Sequence, residues 1–229
     1  MKKADINKPP VTMYPKSRRK IVDIKTGVLK LSRNDKIANK GKLPVVKKGQ
    51  FKGYVIFTLT LEERATCPRD CYHWDTCFGN NMVFAHRIEH GKALEQKLDE
   101  ELAELCATYR GVIVRLHVLG DFYSSDYVAK WAGWLARHDN LAVWGYTGRT
   151  RVSVIGQQIS ITRNIYGSRF SVRFSNDLDF TFSANSLERQ QPRKGKSFIC
   201  PEQTGAASNC ANCALCWAAS DKQVLFMTH

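Results

Sequence analysis

The chain has 229 residues, 43% of them hydrophobic and 10% aromatic, the size and composition of one α/β domain with an extension or a small auxiliary module, which excludes disorder over most of its length. No run approaches the roughly eighteen apolar residues of a membrane span, and the Lys-rich start lacks the apolar segment of a signal peptide, so a cytoplasmic protein with no membrane association is expected. The net charge of +14 is unevenly spread: residues 1–50 hold fifteen Lys and Arg against three Asp and Glu, and residues 51–229 hold twenty against eighteen.

Residues 1–50 read as a basic N-terminal arm, with weakly extended pieces around 20–24 and 27–31 and a Gly/Lys/Pro-rich connector over 39–53. Lys16, Arg18, Arg19 and Lys20, with Lys47 and Lys48, suit a polyanion, and nucleic acid is the partner expected for such an arm; a solvated tail that aids solubility is the other reading. Residues 51–229 read as a single domain. Segment 54–60 (YVIFTLT) predicts a strand, 82–110 a helix broken or kinked near Gly91, and 112–119 a strand. A helix over 125–138 follows with Ser124 or Ser125 as N-cap, then a strand over 141–147, a helix over 151–166 and a strand over 168–175. This rhythm of strand and helix predicts the α/β class and a mostly parallel sheet, a full or partial (β/α) barrel ending in a Cys-rich segment over 197–229.

Alternation within the strands places Arg115 and His117 opposite Val114, Leu116 and Val118, and Ser171, Arg173 and Ser175 opposite Phe170, Val172 and Phe174. A parallel sheet buried on both faces reads as nearly continuous apolar residues, so these polar faces predict a curved sheet around a wet, ligand-holding interior; a single solvated sheet face is the alternative. Trp131 and Trp134 fall at core spacing in the 125–138 helix, and His117 is either a buried core histidine or an acid–base group.

Eight cysteines in a chain with no export signal point to metal ligation rather than disulfides. Cys106 sits on a helical apolar stripe with Leu98, Leu102 and Leu105 and reads as core. The other seven fall into two groups: Cys67, Cys71 and Cys77 directly after the first core strand, and Cys200, Cys210, Cys213 and Cys216 near the C-terminus. Thiolates at such spacings hold zinc or an iron–sulfur cluster. The second group supplies four thiolates, three of them at two-residue gaps as in a ferredoxin run. The first supplies three, which on a four-iron cluster leaves one iron open; His73 completing a Cys3His zinc site is the competing reading, and the two groups combining at one cluster is another.

Three cysteines after the first strand, with Gly120-Asp121-Phe122 after the second, resemble the radical S-adenosylmethionine enzymes, whose cysteines are usually spaced by three and two residues where this chain has three and five. The resemblance implies a [4Fe-4S] cluster on Cys67, Cys71 and Cys77, S-adenosylmethionine as cosubstrate, and an electron donor of flavodoxin or ferredoxin type. It also implies that Leu119-Gly120-Asp121 lies where the family's Gly-Gly-Glu segment meets the methionine ammonium. Asp121 would take that ammonium and Arg149 or Arg173 the carboxylate. Gly120, Asp121, Thr147, Arg149, Arg173 and Ser175 are then the cofactor-binding candidates, with Asp121, His117 and Arg173 the catalytic ones. Segments TLTLEERATCPRDCYHW, RLHVLGDFYSSDYVAKW, YTGRT and CPEQTGAASNCANCALCW, with the terminal His229, are similar to the phage gene product eighty-eight family from about Thr58 to His229. That resemblance implies a phage or prophage protein, working in an infected or lysogenic bacterial cytoplasm, with an iron–sulfur, barrel-like body; it carries no activity. Two further readings stay open: a non-enzymatic cluster or zinc protein that binds nucleic acid through its arm, and a one-electron carrier with no substrate.

Overall fold

A computed structural model describes residues 20–21, 24, 27–32, 34–39, 41–82, 84–175, 177–179, 181–218 and 220–227. In chain order its elements are β1 (Lys20–Ile21), β2 (Lys30–Leu31), β3 (Val55–Thr58), α1 (Glu63–Thr66), β4 (His86–Arg87), α2 (Lys92–Thr108), β5 (Val112–Leu116), α3 (Ser125–Arg137), β6 (Leu141–Thr147), α4 (Val154–Tyr166), β7 (Phe170–Phe174), β8 (Ala184–Ser186), β9 (Ser197–Ile199), α5 (Cys210–Cys213) and β10 (Gln223–Phe226). Single 3-10 turns lie at Phe78–Asn81 and Gly167–Arg169. The helices start where the sequence supplies a cap: the Ser124 hydroxyl accepts from Tyr127 N and the Ser153 hydroxyl from Gly156 N, each at 3.1 Å.

The principal sheet has the order β2-β3-β5-β6-β7, parallel except for the antiparallel edge strand β2. One face carries Val55, Phe57, Val112, Val114, Leu116, Leu141, Val143, Phe170, Val172 and Phe174, and on it pack α2 through Leu94, Leu98 and Leu102, α3 through Tyr127, Val128, Trp131 and Leu135, and α4 through Ile159. Cys106, Trp131 and Trp134 are core residues, as their spacing predicts. The opposite face presents Ile56, Ile113, Ala142 and Trp144, covered by Ile37, Ala38, Val46 and Phe51 from the connector and by Ala211, Ala214 and Trp217 from the Cys-rich segment. Three-stranded sheet β8-β10-β9, also parallel, adjoins β7 through a single parallel bridge from Phe174 to Ser183, and β1 pairs with β4.

Several expectations change here. The described residues form an α/β fold around an open sheet bounded by β2 and β7, not a closed barrel. Residues 27–51 are not a free arm: Val28, Leu29, Ile37, Ala38, Val46 and Phe51 are buried, because apolar residues between the lysines cover the sheet's second face. Lys16, Arg18, Arg19 and the terminal His229 lie outside the described residues. Segment 82–91 holds β4 rather than helix: Arg87 is drawn fully inside, and Gly91, at φ +131°, turns the chain into α2.

The sheet's polar positions face no wet interior. Arg173 is fully buried and donates from Nη1 to Lys222 O (2.6 Å) and from Nη2 to Ser220 O (3.0 Å), while the Ser171 hydroxyl donates to Cys216 O (2.7 Å). These side chains satisfy the irregular backbone of the Cys-rich segment lying over them. His117 also leaves its expected face. β5 stops at Leu116, His117 turns to φ +53°, and its ring packs edge-on against Phe122 (4.6 Å between centroids) and beside Tyr127 on the helix side. Among the described residues no helix is long and apolar enough to cross a membrane.

Candidate cysteine-lined site

Cys67, Cys71 and Cys77 stand on a loop that leaves the C-terminal end of β3 and is folded around four charged side chains. Arg87 forms a fork with Glu63, Nε to Oε2 at 2.8 Å and Nη2 to Oε1 at 3.0 Å, both side chains buried. Its remaining donors reach the carbonyls of Gly79 (3.2 Å), Met82 (3.0 Å) and Ala85 (2.9 Å). Arg64 lies 4.6 Å over the Trp74 ring and donates to Trp74 O (2.8 Å) and Asn80 Oδ1 (2.7 Å). From the other side, Arg189 lies 4.1 Å over the Tyr72 ring and donates to Ser175 O (3.0 Å) and Asn185 Oδ1 (3.1 Å). Sequence reasoning missed Glu63, Arg64, Arg87 and Arg189, whose partners are scattered along the chain.

The β5 and β6 ends close on this loop through Asp121. Its Oδ1 accepts from Phe122 N (2.7 Å) and the Thr147 hydroxyl (2.8 Å), and its Oδ2 from Gly148 N (2.7 Å). Asp121 N donates to the Thr66 hydroxyl (3.1 Å), one residue before Cys67. Arg149 completes the closure, from Nε to Phe122 O (3.0 Å) and from Nη2 to Thr66 O (2.6 Å). Ser175 donates from its hydroxyl to Thr147 O (2.9 Å). Gly120 permits the approach: a Cβ there, at φ +87°, would stand 2.6 Å from Leu61 Cβ and 2.7 Å from the Thr66 hydroxyl. Gly148 adjoins the same loop, where a Cβ would stand 3.2 Å from Pro68 Cγ and make ordinary contacts of 3.5 Å with Cys71 Sγ and Asp121 Oδ2. Thus Gly120, Asp121, Thr147, Arg149 and Ser175 are gathered beside the first cysteine group, whereas His117 and Arg173 are buried elsewhere for structural purposes.

Electrostatics tie the thiols of each group together. Burial pushes Cys67 well up, with Asp121, Cys71, Cys77 and Glu63 adding to the rise. Burial lifts Cys71 to about 11 against the opposing His73 N–H, and lifts Cys77 against the Gly79 N–H. Backbone donors aimed at sulfur favour thiolate, the form that binds metal. In the second group burial raises Cys210 to about 12, Cys216 and Cys200 being among the next contributors, and raises Cys200 against the N–H groups of Gln203 and Glu202. Cys216 is likewise raised by burial, although Tyr146 Oη donates to its Sγ at 3.2 Å. Asp121 is pushed up to about 6, burial outweighing Arg149 and the three donors. Burial holds His117 down at about 3, so it is a neutral core ring at physiological pH.

His73 is not turned into a ligand set: its ring meets Tyr72 edge-on (4.9 Å), Nδ1 lies 3.5 Å from the Thr76 hydroxyl, and burial and Arg189 lower its pKa. Among the described residues no three His, Cys, Asp or Glu side chains converge as ligands of a single metal ion.

Fold and site define an α/β protein with a predominantly parallel sheet and two separate thiol groups, one at the strands' C-terminal ends and one in the segment that covers the sheet's second face. The sequence profile of the gene product 88 family matches residues 28–219, and the chain belongs to that phage protein family. The match begins thirty residues before Thr58, in keeping with the packing of residues 28–51 into the domain, and stops ten residues short of His229. No curated protein and no solved structure matches the chain.

Proposed function

We propose that the protein is an iron–sulfur protein in which Cys67, Cys71 and Cys77 hold a [4Fe-4S] cluster at the mouth of a partial barrel and take part in radical S-adenosylmethionine-like redox chemistry on a substrate still to be found. One observation carries the reading: three thiols within electrostatic reach of one another on the loop at the C-terminal end of β3, two of them met by backbone N–H groups, with Cys71 Sγ lying beside Gly148 at the end of β6. Ligands bind at that end of parallel α/β sheets. The parallel run β3-β5-β6-β7, with α2, α3 and α4 packed on one face, supports the partial-barrel reading, although the adjoining sheet, in the order β8-β10-β9, does not continue its sequential order.

When bound, such a cluster supplies one electron at a time, and three protein thiolates leave one iron for a cosubstrate. Around it the chain's own residues position and exclude. Gly120 lets the loops approach, Thr66 and Arg149 lock Cys67 to the β5 and β6 ends, and Asp121 Oδ2, which accepts from Gly148 N, keeps lone-pair capacity for an ammonium group. The measured donors of Arg149 and Arg173 go to backbone carbonyls, so neither is assigned to a cosubstrate carboxylate. Cys200, Cys210, Cys213 and Cys216 are proposed to hold a second cluster that relays electrons from a flavodoxin- or ferredoxin-type donor.

The test is purification without oxygen, followed by iron and acid-labile sulfide per chain, with and without dithionite. Two reducible clusters are expected, with Cys67→Ala and Cys213→Ala each losing about half of the iron, and the parent cleaving added S-adenosylmethionine under reduction. A colourless protein holding only zinc would refute the proposal.

A further inference from the structure

The lysines of residues 36–52 are not used by the site above, and part of them form a rigid surface. Val46 N donates to Tyr54 O (3.0 Å), Gly53 N to Val46 O (2.9 Å) and Lys52 N to Gly49 O (3.1 Å), closing a tight turn with Gly49 and Gly53 at φ +74° and +92°. The turn buries Val46 and Phe51 and leaves Lys47, Lys48 and Lys52 exposed. Exposed Arg110 joins them, its Nη1 lying 3.7 Å from where a Cβ on Gly53 would stand. No Asp or Glu occurs over 46–54, and among the described residues none of these four cations enters an ion pair. Phe51 is buried against Tyr54, so no aromatic platform for bases accompanies the charge.

The same turn is stapled to the second cysteine group. Cys210 N donates to Lys36 O (2.9 Å), Ala211 N to Ile37 O (2.8 Å) and Lys47 N to Ala211 O (2.9 Å), and Asn209 Nδ2 reaches Asn39 Oδ1 at 2.8 Å. Ala211, Ala214 and Trp217 pack on Ile37, Val46 and Phe51. A four-residue helix such as α5 does not hold itself; its shape depends on what fixes its ends, Cys210 and Cys213.

We propose that Lys47, Lys48, Lys52 and Arg110 form a docking surface for nucleic-acid phosphates, and that ligation of the second cysteine group keeps that surface in its binding shape. The second half rests on the iron–sulfur reading; the first does not. Unpaired cations on a stiff turn without a base platform meet the phosphate backbone, so binding is sequence-independent and salt-dependent.

The full chain, purified without oxygen, is titrated against a labelled DNA duplex by fluorescence anisotropy over a series of salt concentrations. Each phosphate contact contributes about −0.9 to the slope of log affinity against log salt. K47E/K48E/K52E is therefore expected to flatten the slope by about 3 and to weaken low-salt binding by about tenfold or more. An unchanged slope in that variant overturns the surface, as does displacement of the duplex by polyglutamate as effective as by unlabelled DNA.

For the coupling, iron is removed from the parent with a chelator and restored with ferrous iron and sulfide. Binding should fall severalfold and recover, while the lysine variant responds to neither step. Binding indifferent to iron removal overturns the coupling alone. Iron content that does not differ between Cys213→Ala and the parent overturns the second cluster and the coupling with it, and the lysine variant then decides the surface by itself.

Discussion

Replacing Arg87 by Met tests whether the Cys67–Cys77 loop is built as argued. The Arg87 and Glu63 side chains are 0% and 2% exposed, and the substitution leaves the Glu63 carboxylate in place without its fork. Removing one partner of a buried pair costs about 3–5 kcal/mol, because the remaining charge stays desolvated. The carbonyls of Gly79, Met82 and Ala85 lose donors as well, but the loop lies near the surface and water offsets part of that loss. A net loss of about 4 kcal/mol is expected from a total stability on the order of 5–15 kcal/mol. Urea unfolding at neutral pH, with circular dichroism as the probe, reads it as a shifted midpoint at unchanged slope. The double variant Glu63→Gln/Arg87→Met should recover about 1–2 kcal/mol, since its buried group is neutral. Arg87→Met should also lose iron from the first group before the second, because Gly79 ties Arg87 to Cys77: its carbonyl accepts from Arg87 and its N–H faces the sulfur. A cost below about 1 kcal/mol, or a double variant weaker than the single, would refute this account of the loop.

Gly120→Ala combines a left-handed backbone with contacts of 2.6 and 2.7 Å at Leu61 and Thr66, so a loss of about 2–4 kcal/mol and a disturbed first cluster are expected; a thermal midpoint equal to the parent's would contradict the closeness of these loops. His117, held near 3 by burial against an ordinary 6.5, stabilises the fold fully above pH 6.5 and loses that contribution as pH falls, because the unfolded chain takes up the proton first. About 2 kcal/mol should disappear between pH 7 and pH 5 on this account. His117→Asn, which tolerates the left-handed backbone, should remove that part of the acid sensitivity; urea unfolding of both proteins at the two pH values decides, and an equal acid loss counts against it. Tyr146→Phe deletes the hydroxyl that donates to Cys216. If the proposed second cluster is bound and iron content is unchanged, its reduction potential should become more negative, since hydrogen bonds to sulfur favour the reduced state; an unmoved potential in redox titration would leave Tyr146 a packing residue.

What the sequence disclosed divides along physical lines. Elements with local signals were legible: the β6 strand, the Ser124 cap, the apolar stripe of α2 and the two cysteine groups. Alternation misled at His117, where a single left-handed residue turns the side chain onto the opposite face. Lysine-dominated composition hid the fact that residues 28–51 bury an apolar residue every few positions. Arg173 looked like a ligand group because charge on a strand suggests a cavity. The backbone it serves, at Ser220 and Lys222, lies nearly fifty residues away and leaves no mark on the strand itself. Glu63, Arg64 and Arg87 were invisible for the same reason, since a buried ion pair has no period.

The short run Tyr146-Thr147-Gly148-Arg149 gives the two cysteine groups a common physical basis. Along the end of β6, consecutive side chains point to opposite faces. Tyr146 therefore meets Cys216 on the face covered by the Cys-rich segment, and Thr147 turns to Asp121 on the loop side. Gly148 then carries no side chain where Cys71 approaches, and Arg149 clamps the residue before Cys67. With a rise of about 3.3 Å per residue, one strand end touches both thiol groups within three positions. A substitution that displaces this segment, such as Gly148→Val, is therefore expected to disturb the surroundings of both cysteine groups at once, whereas one confined to the Arg87 loop should leave the second group unchanged.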